Sequence, residues 1–181
     1  MTDDAPSVAS PTIRELDAPS YAGAIPGLAA LLVDAVDGGA SVNFVAGVTL
    51  AQAAGWWTER FDQVRDGVIS AIVALDHAVV VGSVLLIRST SPNSPHRAEI
   101  GKVLVLQSAR RRGIARALMA AAEDRAKTDG RWLLVLDTVT GSAADSMYRA
   151  LGWQELGVMP NHALLTDGTP APTTFFWKDL R

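Results

Sequence analysis

The stretch Val103-Leu104-Val105-Leu106-Gln107-Ser108-Ala109-Arg110-Arg111-Arg112-Gly113-Ile114-Ala115-Arg116-Ala117-Leu118-Met119 decides the fold. An apolar, β-branched run ends in a short polar turn, and three arginines and a glycine then open a helical pattern. A strand feeding a helix N-terminus makes an anion site, because the first-turn N–H groups have no intrahelical partners. The helix dipole adds about half a positive charge at that end, and phosphates bind such places readily. Gly113 stands where a side chain would separate the backbone from a phosphate, and Ala115 keeps the same face small. Arg110, Arg111 and Arg112 can add guanidinium forks that match phosphate oxygens. The segment lacks the Gly-Lys-Ser/Thr of a P-loop and the three glycines of a dinucleotide fingerprint. The plain alternative is a basic, solvated helix start.

At 181 residues the chain suits one domain with one sizeable core. Its 49% hydrophobic and 19% charged residues make a globular composition. Three arginines in a chain of formal net charge -3 form no basic face, which sets nucleic acid aside. An isoelectric point near 5.5 gives no pull toward a membrane or polyanion. The absence of cysteine removes disulfides, thiolate metal sites and a cysteine nucleophile, and suits a reducing cytoplasm. Met1 to Pro11 carries acids and prolines but no apolar signal-peptide core, so it reads as a mobile tail before a domain spanning residues 12–181. No apolar run is expected to approach the roughly 20 residues that span a bilayer.

Thr12 to Leu16 predicts a first strand, and the spacing of Ile25, Leu28, Leu31, Leu32 and Ala35 a helix from Pro19 to the breaker Asp37-Gly38-Gly39. After a loop, Thr49 caps a second helix reaching about Val64. Val68–Leu75 and Ala78–Arg88 form a hairpin about Asp76-His77, and Arg97–Leu106 a strand leading into a helix from Arg112 to about Lys127. Trp132–Asp137 predicts a strand, Ser142–Leu151 a short helix, and Trp153–Val158 and Thr173–Lys178 the last two strands. The order β-αα-βββ-α-β-α-β-β is an α/β domain with a mixed sheet and helices against its faces.

These residues resemble the GNAT superfamily of acetyl-CoA-dependent N-acetyltransferases. Arg110-Arg111-Arg112-Gly113-Ile114-Ala115 fits its Arg/Gln-x-x-Gly-x-Gly/Ala pattern, and Tyr148-Arg149-Ala150-Leu151-Gly152-Trp153 is similar to its Tyr-x-x-Leu-Gly-Phe. The likeness spans nearly the whole chain after the tail. Asp37–Val42, Arg97-Ala98-Glu99, Leu136-Asp137-Thr138 and Gly141-Ser142 look like the tabtoxin resistance acetyltransferase branch, which shares Gly141 where the wider family usually has asparagine. The resemblance implies a twisted, mostly antiparallel mixed sheet, helices on both faces, and splayed central strands. It implies acetyl-CoA as cosubstrate, with the backbone of Leu104, Val105 and Leu106 pairing with the pantetheine arm. The N–H groups from about Arg111 to Ala115 would hold the pyrophosphate. The acceptor it implies is a small-molecule amine, with a protein N-terminus or lysine, or a catalytically silent acetyl-CoA sensor, as alternatives. Nothing decides between monomer and homodimer.

Acetyl transfer to an amine requires a proton for the departing thiolate and a base for the ammonium. Tyr148 is the motif tyrosine and the candidate acid; otherwise it is a core tyrosine with a backbone partner. Glu99 and Asp137 are the candidate bases, with Glu99 ranked first. The competing readings pair Glu99 with Arg97 or Lys102 at the surface and make Asp137 a turn cap. His96, in a polar loop, reads as a solvated histidine, and no His/Asp/Glu spacing matches a metal site. Ser41, Ser142 and Ser146 have no paired histidine for a serine hydrolase. Trp56 and Trp57 point about 100° apart on a helix, so one can face the core and the other the acceptor pocket, although core packing of both is the default.

Overall fold

The computed structural model describes residues 11–181, so all of the expected tail except Pro11 lies outside the described residues. The strands are β1 (Thr12–Leu16), β2 (Ile69–Asp76), β3 (Val79–Arg88), β4 (Arg97–Val105), β5 (Leu133–Val139), β6 (Gln154–Leu164) and β7 (Pro170–Asp179). The helices are α1 (Ala18–Asp37), α2 (Leu50–Thr58), α3 (Phe61–Arg65), α4 (Ile114–Thr128) and α5 (Ala143–Ala150). The strands form one sheet in the order β1-β2-β3-β4-β5-β7-β6, and every neighbouring pair is antiparallel except β4 and β5. The sheet is mixed, as the element order predicts, and mostly antiparallel, as the family resemblance implies.

Alternation along β2 and β3 sends side chains to opposite faces, so two cores form. Ile72, Ala74, Val84 and Leu86 pack under α4 and α5, with Leu118, Met119, Tyr148 and Phe176. Ala71, Val73 and Leu85 pack under α1 and α2, with Tyr21, Leu28, Leu32 and Trp57. Asp17 caps α1 by accepting the Ser20 N–H at 2.9 Å. The helix runs through Pro26 because the buried face from Leu28 to Val36 outweighs one lost backbone bond. At 20 residues and mean hydropathy 1.3, α1 is long and apolar enough to cross a bilayer, contrary to expectation. Here its apolar face lies against the sheet.

One predicted helix is two. Thr49 starts α2 with a capping box, each backbone N–H of Thr49 and Gln52 bonded to the other's side chain. The helix then ends at Thr58, because the Arg60 guanidinium folds back onto the Trp56 carbonyl at 2.6 Å while the Arg60 N–H turns to Trp57. The last hairpin, β6–β7, is longer than the sequence implies. Pro160 and Asn161 (φ 55) read as loop but sit within β6, where the pairing shifts register.

Candidate active site

The two parallel strands hold together only briefly. Arg97–Glu99 pairs with Leu133–Val135, and there the ladder stops, although β4 runs on to Val105 and β5 to Val139. The diverging ends form a V, with α4 packed on β4 and α5 on β5. These are the splayed central strands that the family resemblance implies.

A bulge in β4 decides what faces this opening. Between the pairs Leu85↔Gly101 and Ser83↔Leu104 the register shifts, with Lys102 at φ 49 and its carbonyl bonded to Ser83 Oγ at 3.0 Å. The bulge inverts the alternation. Before it Ala98 and Ile100 enter the core under α4, whereas after it Leu104 enters the core under α1. Glu99 and Lys102 therefore face the same side of the sheet, toward α2. Glu99 pairs with Val135, and Asp137 lies two residues beyond on β5, so the two carboxylates share that face.

Neither alternative reading of these acids fits. No ion pair joins Glu99 to Arg97 or Lys102, and Asp137 caps no turn among the described residues; the turn before α5 is held by Asp145, which accepts the Gly141 N–H at 2.6 Å. Partial burial, then the Asp137 charge, raises the Glu99 carboxyl above the usual carboxylate range. Lys102 was read only as a surface partner for Glu99, yet it is half-buried in the cleft with its Nζ 4.6 Å from the Trp56 ring centroid. Burial, then Arg60, pulls its pKa down to about 8. A lysine inside a strand carries no signal of a bulge, so its place in the cleft is not legible from composition or spacing.

The tryptophan pair divides as its spacing allows. Trp57 is fully buried, and its carbonyl accepts from Tyr21 Oη at 2.8 Å. Trp56 faces the cleft, edge-on to Phe44 at 6.3 Å and under the Arg60 guanidinium at 3.3 Å. The loop carrying Phe44 is tied to the last hairpin by Ser41 Oγ to the Leu164 carbonyl, 2.9 Å, and Ala46 N–H to Thr166, 2.8 Å. His96 stacks on Trp132 at 4.4 Å, outside the opening.

Tyr148 lies on the other face, buried against Trp153 and Phe176. Its hydroxyl has no hydrogen-bond partner among the described residues, so it is not the backbone-bonded core tyrosine of the alternative reading. Burial, then the Asp137 charge, raises its pKa and keeps the phenol protonated.

The loop from β4 to α4 fits an anion. A 3₁₀ turn, Gln107–Ala109, precedes Arg111 at φ 64 and Gly113 at φ 78. The N–H groups of Gly113, Ile114, Ala115 and Arg116 have no acceptor among the described residues. A Cβ at Gly113 would meet nothing within 4 Å, leaving that side open. Gly82 of β3 lets α4 start this close to the sheet, since its Cβ would stand 3.0 Å from Ile114, Leu118 and the Leu104 carbonyl. Two of the arginines are engaged on the protein. Arg110 Nε reaches the Val105 carbonyl at 3.4 Å, and Arg112 pairs with Asp76 at 2.9 Å. Leu106 gives its N–H to Val81 at 3.0 Å, and Leu104 and Val105 pair with Ser83 and Gly82 of β3. The free polar backbone on the β5 side thus begins past Glu99. Among the described residues no group of three His, Asp or Glu could hold a metal.

A family model described as Acetyltransferase (GNAT) family matches residues 48–153. The fold is similar to that of an N-acetyltransferase from Staphylococcus aureus Mu50, at 19% identity and TM-score 0.78, over 96% of this chain and 100% of that one. It is also similar to a ribosomal-protein-alanine N-acetyltransferase from Brucella melitensis (25%, TM-score 0.74, 93% and 99%). A phosphinothricin acetyltransferase from Sinorhizobium meliloti in complex with acetyl-CoA matches at 19% and TM-score 0.76 over 95% and 89%. With the splayed strands and the open loop before α4, the chain belongs to the GNAT family and is an acetyl-CoA-dependent N-acetyltransferase.

Proposed function

We propose that the protein acetylates the amine of a small molecule, of the kind represented by tabtoxin-like amino-acid antibiotics, by direct attack within the V between β4 and β5. The observation that carries this reading is the placement of Glu99 and Asp137 on one face of the opening, both free of ion pairs, with Tyr148 unpartnered on the other. Acetyl-CoA, when bound, supplies the acetyl thioester. The free amides of Gly113 to Arg116 hold the pyrophosphate, and Arg110 and Arg112 brace the loop that presents them. Glu99 takes a proton from the acceptor's ammonium, directly or through water, and its raised pKa suits that task near neutral pH. Asp137 supports the same positive charge. Tyr148, kept protonated by burial, donates to the departing sulfur.

Two observations favour a small acceptor. Phosphinothricin acetyltransferases share the fold. The Ser41–Leu164 and Ala46–Thr166 bonds also fix the loop that brings Phe44 against Trp56, a wall that suits a small acceptor better than an extended peptide. The likeness to the Brucella enzyme supports the second reading, a protein N-terminus as acceptor. Purified protein with acetyl-CoA and parallel panels of small amines and peptides, followed by free-thiol release, tests both. Release with small amines and none with peptides is the expected result. Binding of acetyl-CoA without release from either panel would leave a sensor.

A further inference from the structure

Glu99 and Asp137 face the cleft from β4 and β5, and Arg60 and Lys102 gather on the Trp56 ring, 3.3 and 4.6 Å from its centroid. Lys102 Nζ makes no hydrogen bond or ion pair among the described residues, and the only carboxylate near Arg60 is the exposed Glu59 at 3.8 Å. Two half-buried cations share one ring, and among the described residues neither has a buried carboxylate within ion-pair distance, so a ligand's anion would be stabilised between them. Lys102 is pushed toward its neutral form by burial and then by Arg60.

Resting on the acetyl-transfer reading, the geometry points to an acceptor that is itself zwitterionic: an amine carrying a carboxylate, held with its ammonium toward Glu99 and Asp137 and its carboxylate between Lys102 and Arg60. Trp56 is the platform that fixes both cations and packs the carbon skeleton between the charges. Its edge contact with Phe44 links this platform to the loop tied to the last hairpin. Lys102 is placed there by the bulge at φ 49; in a regular strand its side chain would face the core under α4 instead. The bulge thus converts a core position into a specificity position.

The test compares α-amino acids and short dipeptides with their C-terminal amides, which keep the amine and lose the anion. For the wild-type enzyme we expect kcat/KM to favour the acid over its amide by roughly 10- to 100-fold, the range of a charge-assisted contact. In Lys102→Met and Arg60→Met that ratio collapses toward one, chiefly through KM, and Lys102→Arg restores most of it. Acetyl-CoA titration reports that each variant is folded. Equal turnover of acids and amides by the wild type, or a ratio that survives Lys102→Met, overturns the inference while leaving acetyl transfer standing. Absence of thiol release with every amine overturns both.

Discussion

The Asp34 carboxylate of α1 accepts the backbone N–H of Gln107 at 2.8 Å, while Gln107 Nε2 returns a bond to the Asp34 carbonyl at 3.0 Å. This clasp fixes the point where β4 turns into the anion loop. Its closeness is visible next door, where a Cβ on Gly38 would come within 2.8 Å of Gln107. Asp34→Ala frees the Gln107 amide, and each lost bond of this kind is worth about 1 kcal/mol. We expect a several-fold weaker acetyl-CoA affinity by titration, with the fold intact. Asp34→Asn keeps an acceptor oxygen and should bind nearly as the parent does.

Gly113 separates two costs. Its φ of 78 penalises any side chain, by about 1–2 kcal/mol, although a Cβ has open space around it. Gly113→Ala should therefore lower unfolding stability by about that amount with a small loss of acetyl-CoA affinity. Gly113→Glu carries the same backbone cost and adds a negative charge before the free amides. Its dissociation constant for acetyl-CoA should rise more than tenfold beyond that of the alanine variant. Equal affinities for the two would place the pyrophosphate elsewhere.

Much of this was legible in the sequence because it rests on local chemistry. The β-branched run to Leu106 and the glycine turn at Gly113 announce strand, loop and helix start, and Thr49 and Ser142 announce their helices by capping. The helical spacing of Trp56 and Trp57 allows the division but does not require it, since core packing of both is the default. What depended on register was hidden. The bulge at Lys102 leaves no mark on composition, so the side chain's turn toward Trp56 and the cleft could not be read. The engagement of Arg110 and Arg112 with Val105 and Asp76 was hidden for the same reason, as was the end of α2, set by Arg60 folding onto its own helix.

Tyr148 offers a clean separation of structure from chemistry. Its ring packs against Trp153 and Phe176, but its hydroxyl has no hydrogen-bond partner among the described residues. Tyr148→Phe removes no bond from the fold, so unfolding stability should stay within about 0.5 kcal/mol of the parent. Acetyl-CoA affinity should be nearly unchanged. Loss of a positioned acid costs on the order of 100- to 10,000-fold, and kcat should fall within that range. Rate and stability falling together would make the tyrosine a packing residue.

The pH dependence ties Glu99 to Asp137. A base must be ionised to act, so a raised Glu99 pKa moves the acidic limb of the kcat/KM profile upward. Asp137 is the charge that raises it, after burial itself. Asp137→Asn should therefore shift that limb to lower pH even as the maximum rate falls, whereas Glu99→Gln should remove the limb with most of the activity. Stability moves the opposite way. A carboxyl whose folded-state pKa lies above its unfolded one penalises folding once ionised, so the penalty is complete above the folded pKa and vanishes below the unfolded one. Glu99→Gln should then be more stable than the parent at neutral pH, and denaturant melts of the two should converge as the pH falls below the usual carboxylate range. A parent that outlasts Glu99→Gln at neutral pH would mean that Glu99 serves the fold rather than the reaction.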